Sequence, residues 1–136
     1  MNLFPILQTD FVSICDAMID NELSGMNIEY EHSATVCKYV VSKGFPHPDK
    51  DMYMKINEKA IIDAGADLFY SCFAIDRNIY KPSPRGVAVT ARGDRLNEAN
   101  ELCEKMLNEN IQGDNIWHRE DIGTEELLEM YKLGQK

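Results

Sequence analysis

The sequence predicts an α+β fold, a small and mainly antiparallel sheet with flanking helices, and three observations carry that prediction. Short runs of β-formers stand at Thr35–Val41, Asp67–Ala74 and Gly86–Ala91. Apolar residues at helical spacing occupy separate stretches before, between and after them. The strands do not alternate regularly with helices, as a parallel βαβ sheet would require.

Met1–Gln8 is apolar and reads as extended. Thr9 is a suitable N-cap, and Asp10 suits the positive end of a helix dipole. Phe11, Ile14, Cys15, Met18 and Ile19 then make one helical stripe that stops at Leu23-Ser24-Gly25. The organising stretch is Ser33–Pro46. Its strand carries Val36 and Val40 on one face and Cys37, Tyr39 and Val41 on the other, which predicts cover on both sides. Gly44 supplies the freedom for a sharp turn, and Pro46 and Pro48 cannot extend the ladder. A buried strand ending in a Gly/Pro loop either presents backbone amides to a ligand or is an ordinary connection.

Asn57–Gly65 reads as a short helix or turn, and Arg77–Tyr80 as a short strand. Lys81–Arg85 reads as a tight loop stiffened by Pro82 and Pro84. Asp94 is placed to cap a long helix with the stripe Leu96, Ala99, Leu102, Cys103 and Met106. A polar link, Asn108–Asn115, leads to Ile116–Gly123, and a last helix starts near Thr124 with Leu127, Leu128 and Tyr131 inward. Repeats, low-complexity segments and an interior linker are absent, so residues 1–136 read as one domain.

At 136 residues the chain can bury a real core, and 44% hydrophobic with 27% charged residues is ordinary for a globular protein. The formal net charge of −9 argues against a general nucleic-acid or anionic-membrane binder. It leaves room for a local cationic pocket for one phosphate ester. No apolar run spans a bilayer and no signal pattern opens the chain, which predicts a cytoplasmic protein without membrane partners. Cys15, Cys37, Cys72 and Cys103 form no CxxC pair and read as buried reduced thiols. His32, His47 and His118 have no local ligand spacing. His47, between two prolines, is the one retained as a weak site candidate.

No GxGxxG or GxxxxGK[ST] element is present. Met54-Lys55-Ile56 has the outline of a biotin-carrier turn, but its flanks do not read as the symmetric hairpin that such a lysine needs. The best local candidates for binding are Lys81 and Arg85, since a guanidinium on a proline-stiffened backbone is pre-organised to grip phosphate. A solvated loop charge is the competing reading.

Four segments in order resemble the C-terminal part of the phosphoribosylamine–glycine ligase (glycinamide ribonucleotide synthetase) family of ATP-grasp enzymes. Asn2–Leu23 matches that family's N-x-x-P-x-L stretch and following helix. Ala34–Pro46 matches a strand ending in G-[YF]-P. Ser83–Asp94, SPRGVAVTARGD, matches G-G-R-V-x-x-V-T-A-x-G-D, and Arg119–Gly123 matches R-x-D-I-G. The chain departs from the pattern at Ser83-Pro84, where the family has paired glycines, at Tyr70–Phe73, where it has H-A-G-T, and at His47, where it has glycine.

The resemblance implies a small domain with the rudiment single hybrid motif of ATP-grasp carboxylate–amine ligases. Residues 1–30 would continue from the ATP-grasp core and 31–136 would form the sheet domain. It implies a share in joining glycine to 5-phosphoribosylamine in purine biosynthesis, with ATP activating the glycine carboxylate. ATP and magnesium would be bound by the ATP-grasp core, whose E-x-N-x-R-x-G-D-P-E stretch would precede Met1, so the chain would be inactive alone. The substrate-binding residues implied are Arg85, Ser83, Lys81, Lys43, Gly44 and Pro46, with no catalytic or metal-binding residue on this chain. Two alternatives stay open: a non-catalytic module that docks on a larger ATP-grasp subunit, and a carrier domain using Lys55.

Overall fold

The computed structural model describes residues 1–47, 53–76 and 79–133, with the backbone alone at 72–76 and 81–84. Its axis is one long strand, β4 (Ile79–Gly93). Along one edge β4 pairs with β1 (Ala34–Ser42) and, further toward its start, with β2 (Met54–Ile56); along the other it pairs with β3 (Asp67–Asp76). β2 also pairs with β5 (Ile111–Gln112), and β1 with β6 (Ile116–Trp117). Each of these pairings is antiparallel, in the order β5-β2-β4-β1-β6 with β3 on β4, as the sequence predicts.

The predicted loop at Lys81–Arg85 is instead part of β4. Val87 faces Tyr70 and Pro82 faces Cys72, so residues 83–86 stand opposite Ser71 alone. Against β1 the register slips at the same place, from Val40↔Val87 to Val41↔Arg85. A bulge of this kind tolerates a residue without an N–H at Pro84, and Pro82 keeps its place opposite Cys72, so neither proline ends the strand. Gly86 is the residue skipped. A Cβ there would meet Met54 Cε at 2.6 Å and the Val40 carbonyl oxygen at 3.0 Å. Of the short strand predicted at Arg77–Tyr80, Arg77 and Asn78 lie outside the described residues and Ile79-Tyr80 opens β4. The prolines at 46 and 48 do follow the end of β1, with Pro48 outside the described residues.

Helix α3 (Leu96–Asn110) covers one face of the sheet. Ala99, Cys103, Met106 and Leu107 pack on Val36, Val40, Val87, Val89 and Ala91, with Ile56, Ile61 and Ile111 closing the same core. The α3 stripe is therefore the predicted one, but its N-cap is Arg95 and not Asp94. The Glu98 carboxylate accepts the Arg95 N–H at 3.2 Å, satisfying a donor that the cap side chain would otherwise leave open. Helix α2 (Glu58–Asp63) is capped by Asn57, whose side chain accepts from the Ala60 N–H.

The opposite face of β1 is covered, in part, by residues 1–30. A 3₁₀ turn at Phe4–Ile6 precedes α1 (Phe11–Ile19). The segment is tied down by Glu31 N–H to the Ile6 carbonyl (2.7 Å), Arg92 to the Pro5 carbonyl (3.0 Å) and Thr35 to the Asn2 carbonyl (3.0 Å). The cap of α1 is Asp10, which accepts from Ser13 N–H at 2.8 Å; Thr9, the predicted cap, instead accepts the Glu29 N–H at 2.7 Å. Of the predicted α1 stripe only Ile14 is buried, while Phe11, Met18 and Ile19 are exposed. Likewise α4 (Glu125–Leu133) begins after Thr124 as expected, but Leu128 and Tyr131 face solvent. Both helices lie at the rim of the fold: α1 buries Ile14 alone and α4 buries no residue.

Candidate functional site

Arg85 stands on the bulge of β4, on the sheet face away from α3. Its guanidinium carbon lies 5.3 Å from the centre of the Tyr39 ring. With Arg85 exposed and Tyr39 half-buried, such a cation–ring contact is worth roughly 0.5–1 kcal/mol, enough to bias the direction of the side chain while leaving its N–H donors free to face solvent. Register pairs Arg85 with Val41, two residues before Lys43. The structure therefore brings Arg85 and the turn Lys43–His47 to one end of β1. Lys43, Gly44 and Pro46 are all exposed there.

The turn is not an amide cradle. Its N–H groups are largely used internally: Lys43 donates to the Asn115 carbonyl (2.8 Å), Phe45 to Ser42 (3.0 Å) and His47 to Gly44 (3.0 Å). Pro46 has none to offer. Gly44 does not take a left-handed φ, and a Cβ there would meet the His47 carbonyl at 3.2 Å. Any contact from this turn with an anion falls first to the Lys43 side chain. The Ser42 hydroxyl closes the turn by donating to the His47 carbonyl at 3.2 Å. Lys81 and Ser83 sit on the backbone of β4 before Arg85; their side chains lie outside the described residues.

Lys55 belongs to β2, with Ile79 on one side and Gln112 on the other. It is a mid-strand residue between two neighbours, not a hairpin tip, which removes the carrier-domain reading. Cys15, Cys37 and Cys103 are unpaired, and Cys15 and Cys37 are only half-buried, whereas the sequence predicts buried thiols. Burial pushes the Cys103 thiol up to about 12, so it is not a nucleophile. Cys72 lies outside the described side chains.

Sequence reasoning missed two features. Tyr39 is the ring that Arg85 lies over, and its hydroxyl donates to the Met1 sulfur at 3.2 Å. Beneath it, Tyr39 and Cys37 floor an open cleft of about 610 Å³ whose other walls include Phe4, Phe11, Ile14 and Tyr30. The second feature is on the α3 side, where Lys38 is fully buried. It pairs with Glu104 of α3 and donates to the Glu120 carbonyl at 3.0 Å, and Glu104 also meets His118 Nε2 at 3.0 Å. A lysine in the middle of an apolar strand was the available signal. Its partner 66 residues away was not visible in the sequence.

Among the described residues no three His, Cys, Asp or Glu side chains gather as metal ligands. No helix among them is long and apolar enough to cross a membrane.

Comparison with known proteins gives these residues their context. The family described as phosphoribosylglycinamide synthetase, C domain, matches residues 35–125. The chain is 43% identical over 130 residues to a phosphoribosylamine–glycine ligase of Methanococcus maripaludis (strain C7), covering 94% of this chain and 29% of that protein. It is 40% identical over 132 residues to the ligase of Methanocella arvoryzae, and 38% over 130 residues to that of Methanocaldococcus jannaschii, with the same shares covered. The chain thus spans less than a third of the length of these relatives. The match takes in β1, the β4 bulge with Arg85, α3 and the Arg119–Gly123 segment, and this chain belongs to the phosphoribosylglycinamide synthetase C-domain family.

Proposed function

We propose that this chain acts as the C domain of a phosphoribosylamine–glycine ligase, and that Arg85 grips the phosphate of 5-phosphoribosylamine. The observation that supports this most is the placement of Arg85: an exposed guanidinium held over Tyr39, on a bulge beside the Lys43–His47 turn, within the matched family region. A bidentate guanidinium with a lysine nearby is suited to a monoester phosphate. Lys43 and the backbone of Gly44 and Pro46 shape one side of that site, and Lys81 and Ser83 precede Arg85 along β4. ATP and magnesium are assigned to an ATP-grasp core, the principal partner, because the chain matches the C domain alone and spans 29% of the length of the ligase it resembles. On this reading the chain is inactive alone and works in the cytoplasm.

The docking-module reading is favoured by one observation of its own: Phe11, Val12, Met18 and Ile19 on α1 are exposed apolar residues, as an interface to a larger subunit would need. Arg85 separates the two. A charge-assisted hydrogen bond to phosphate is worth about 1.5–3 kcal/mol. In a ligase reconstituted from this chain and an ATP-grasp core, Arg85→Ala should lower kcat/KM for phosphoribosylamine about ten- to a hundred-fold, with the ATP dependence unchanged. The side chain is exposed, so the fold should not suffer. An unchanged phosphoribosylamine dependence would reject the substrate role and leave the docking module.

A further inference from the structure

Three parts of the chain meet at one ionic node. Lys38 comes from the centre of β1, Glu104 from the middle of α3, and His118 with the Glu120 carbonyl from the segment that leaves β6. Asn108, one turn along α3, gives the same carboxylate a further bond at 3.2 Å. A fully buried lysine is costly without partners, and a network of this kind persists only if its geometry is met.

β6 is two residues long. Its ladder consists of Val41↔Trp117 and Ser42↔Ile116, continued by the Lys43 N–H to the Asn115 carbonyl. So short a strand has little pairing of its own to hold it. Ile116 packs on the core from one end. At the other end, immediately after Trp117, His118 and Glu120 are fastened to the node. Next along β1 come the turn Lys43–His47 and, across the register, Arg85.

We infer that Lys38, Glu104 and His118 are positioning residues: they pin β6 onto the end of β1 and thereby fix the Lys43–His47 turn beside Arg85. What the turn binds rests on the function proposed above; the pinning itself does not. Releasing the node should free β6 and the Lys43 amide first, because the rest of β1 is held independently by eight register pairs with β4.

The test is site-resolved amide hydrogen exchange on the full chain, compared between wild type, Glu104→Gln and the apolar double variant Lys38→Met/Glu104→Leu. The double variant fills the space without leaving a charge unpaired, so it keeps the core intact where a single change fails to fold. In both, protection of the Lys43 and Trp117 amides should fall at least ten-fold, while Val87, Val89 and Ala91 keep theirs. Emission of Trp117, the one tryptophan in the sequence, should shift to the red in step. Wild-type protection at Lys43 in the double variant would overturn the inference. So would an equal loss across β4 and α3, which is what a merely structural node would give. Exchange needs no ligase activity, so a failed substrate role for Arg85 leaves this result readable.

Discussion

Gly86→Ala tests the bulge that positions Arg85. Gly86 does not take a left-handed φ, so an alanine there meets no backbone penalty and the whole effect is steric. The new Cβ would lie 2.6 Å from Met54 Cε, 2.9 Å from Met54 Sδ and 3.0 Å from the Val40 carbonyl oxygen. Met54 is itself fully buried. The thioether therefore has to move inside a closed core, where overpacking costs roughly 1–3 kcal/mol. With an unfolding entropy of about 2.1 cal/mol/K per residue, a chain of this length loses about 3–4 °C in Tm per kcal/mol, so Tm should drop by about 3–10 °C. Gly25→Ala is the control, since nothing lies within 4 Å of its Cβ; it should change stability by less than about 0.5 kcal/mol. Calorimetry or thermal circular dichroism reads both. The contact can also be isolated. Met54→Ala removes the clashing atoms, so combined with Gly86→Ala it should cost less than the sum of the two by about 0.5–3 kcal/mol. Simple additivity, or a Gly86→Ala as stable as the control, would refute the packing argument at the bulge.

Two further outcomes follow from local geometry and charge. Gly123 has φ 84° and a Cβ there would come 2.8 Å from Val36 Cγ2, whereas Gly65 has φ 81° and nothing within 4 Å; Gly65→Ala should therefore cost about 1–2 kcal/mol for the left-handed backbone alone, and Gly123→Ala about 1–3 kcal/mol more, a difference that urea unfolding of the two variants checks. At Glu104 burial pushes the carboxyl up, but hydrogen bonds from Lys38 and His118 outweigh it and hold the group below its usual range. The carboxylate's contribution is thus fully present above its unfolded value of about 4.3 and is lost as pH falls through the lowered folded value. Glu104→Gln should flatten the fall of Tm between about pH 5 and pH 3, leaving the smaller share of exposed Asp121, which Arg119 also holds down; parallel acid limbs in wild type and variant would contradict this.

Much of the fold was legible because pattern and packing agree. β1 was expected at Thr35–Val41 and spans Ala34–Ser42. The α3 stripe is a helix face laid on a sheet, and its period survives in the sequence. β4 was misread at Lys81–Arg85 because Pro punctuates a strand by rule, and only the pairing partner reveals that a bulge absorbs it. β5 was read as part of a polar link and β6 fell in the Ile116–Gly123 stretch with no element assigned, since two residues carry no period. The stripes of α1 and α4 are genuine helical patterns whose apolar sides meet solvent in this chain. Periodicity reports that a face is apolar, not what covers it.

The candidate site divides along the same line. Arg85 was legible by residue type, as a guanidinium on a proline-rich backbone, and its setting was not: the aromatic ring beside it comes from the neighbouring strand. Tyr39 reaches it because the bulge at Gly86 shifts the register by one, pairing Val41 with Arg85 where an unbroken ladder would have paired Gly86. In an unbroken strand the side chain at 85 would share the α3 face with Val87, and the slip turns it to the opposite one. The glycine with no side chain to offer is therefore what sets the direction of the arginine. The same strand, β1, carries Tyr39 toward Arg85 on one face and Lys38 toward Glu104 on the other, so adjacent residues serve the exposed site and the buried node. A substitution at either changes the end of β1 from one side only. Comparing Arg85→Ala with Glu104→Gln accordingly separates loss of the gripping group from loss of its placement.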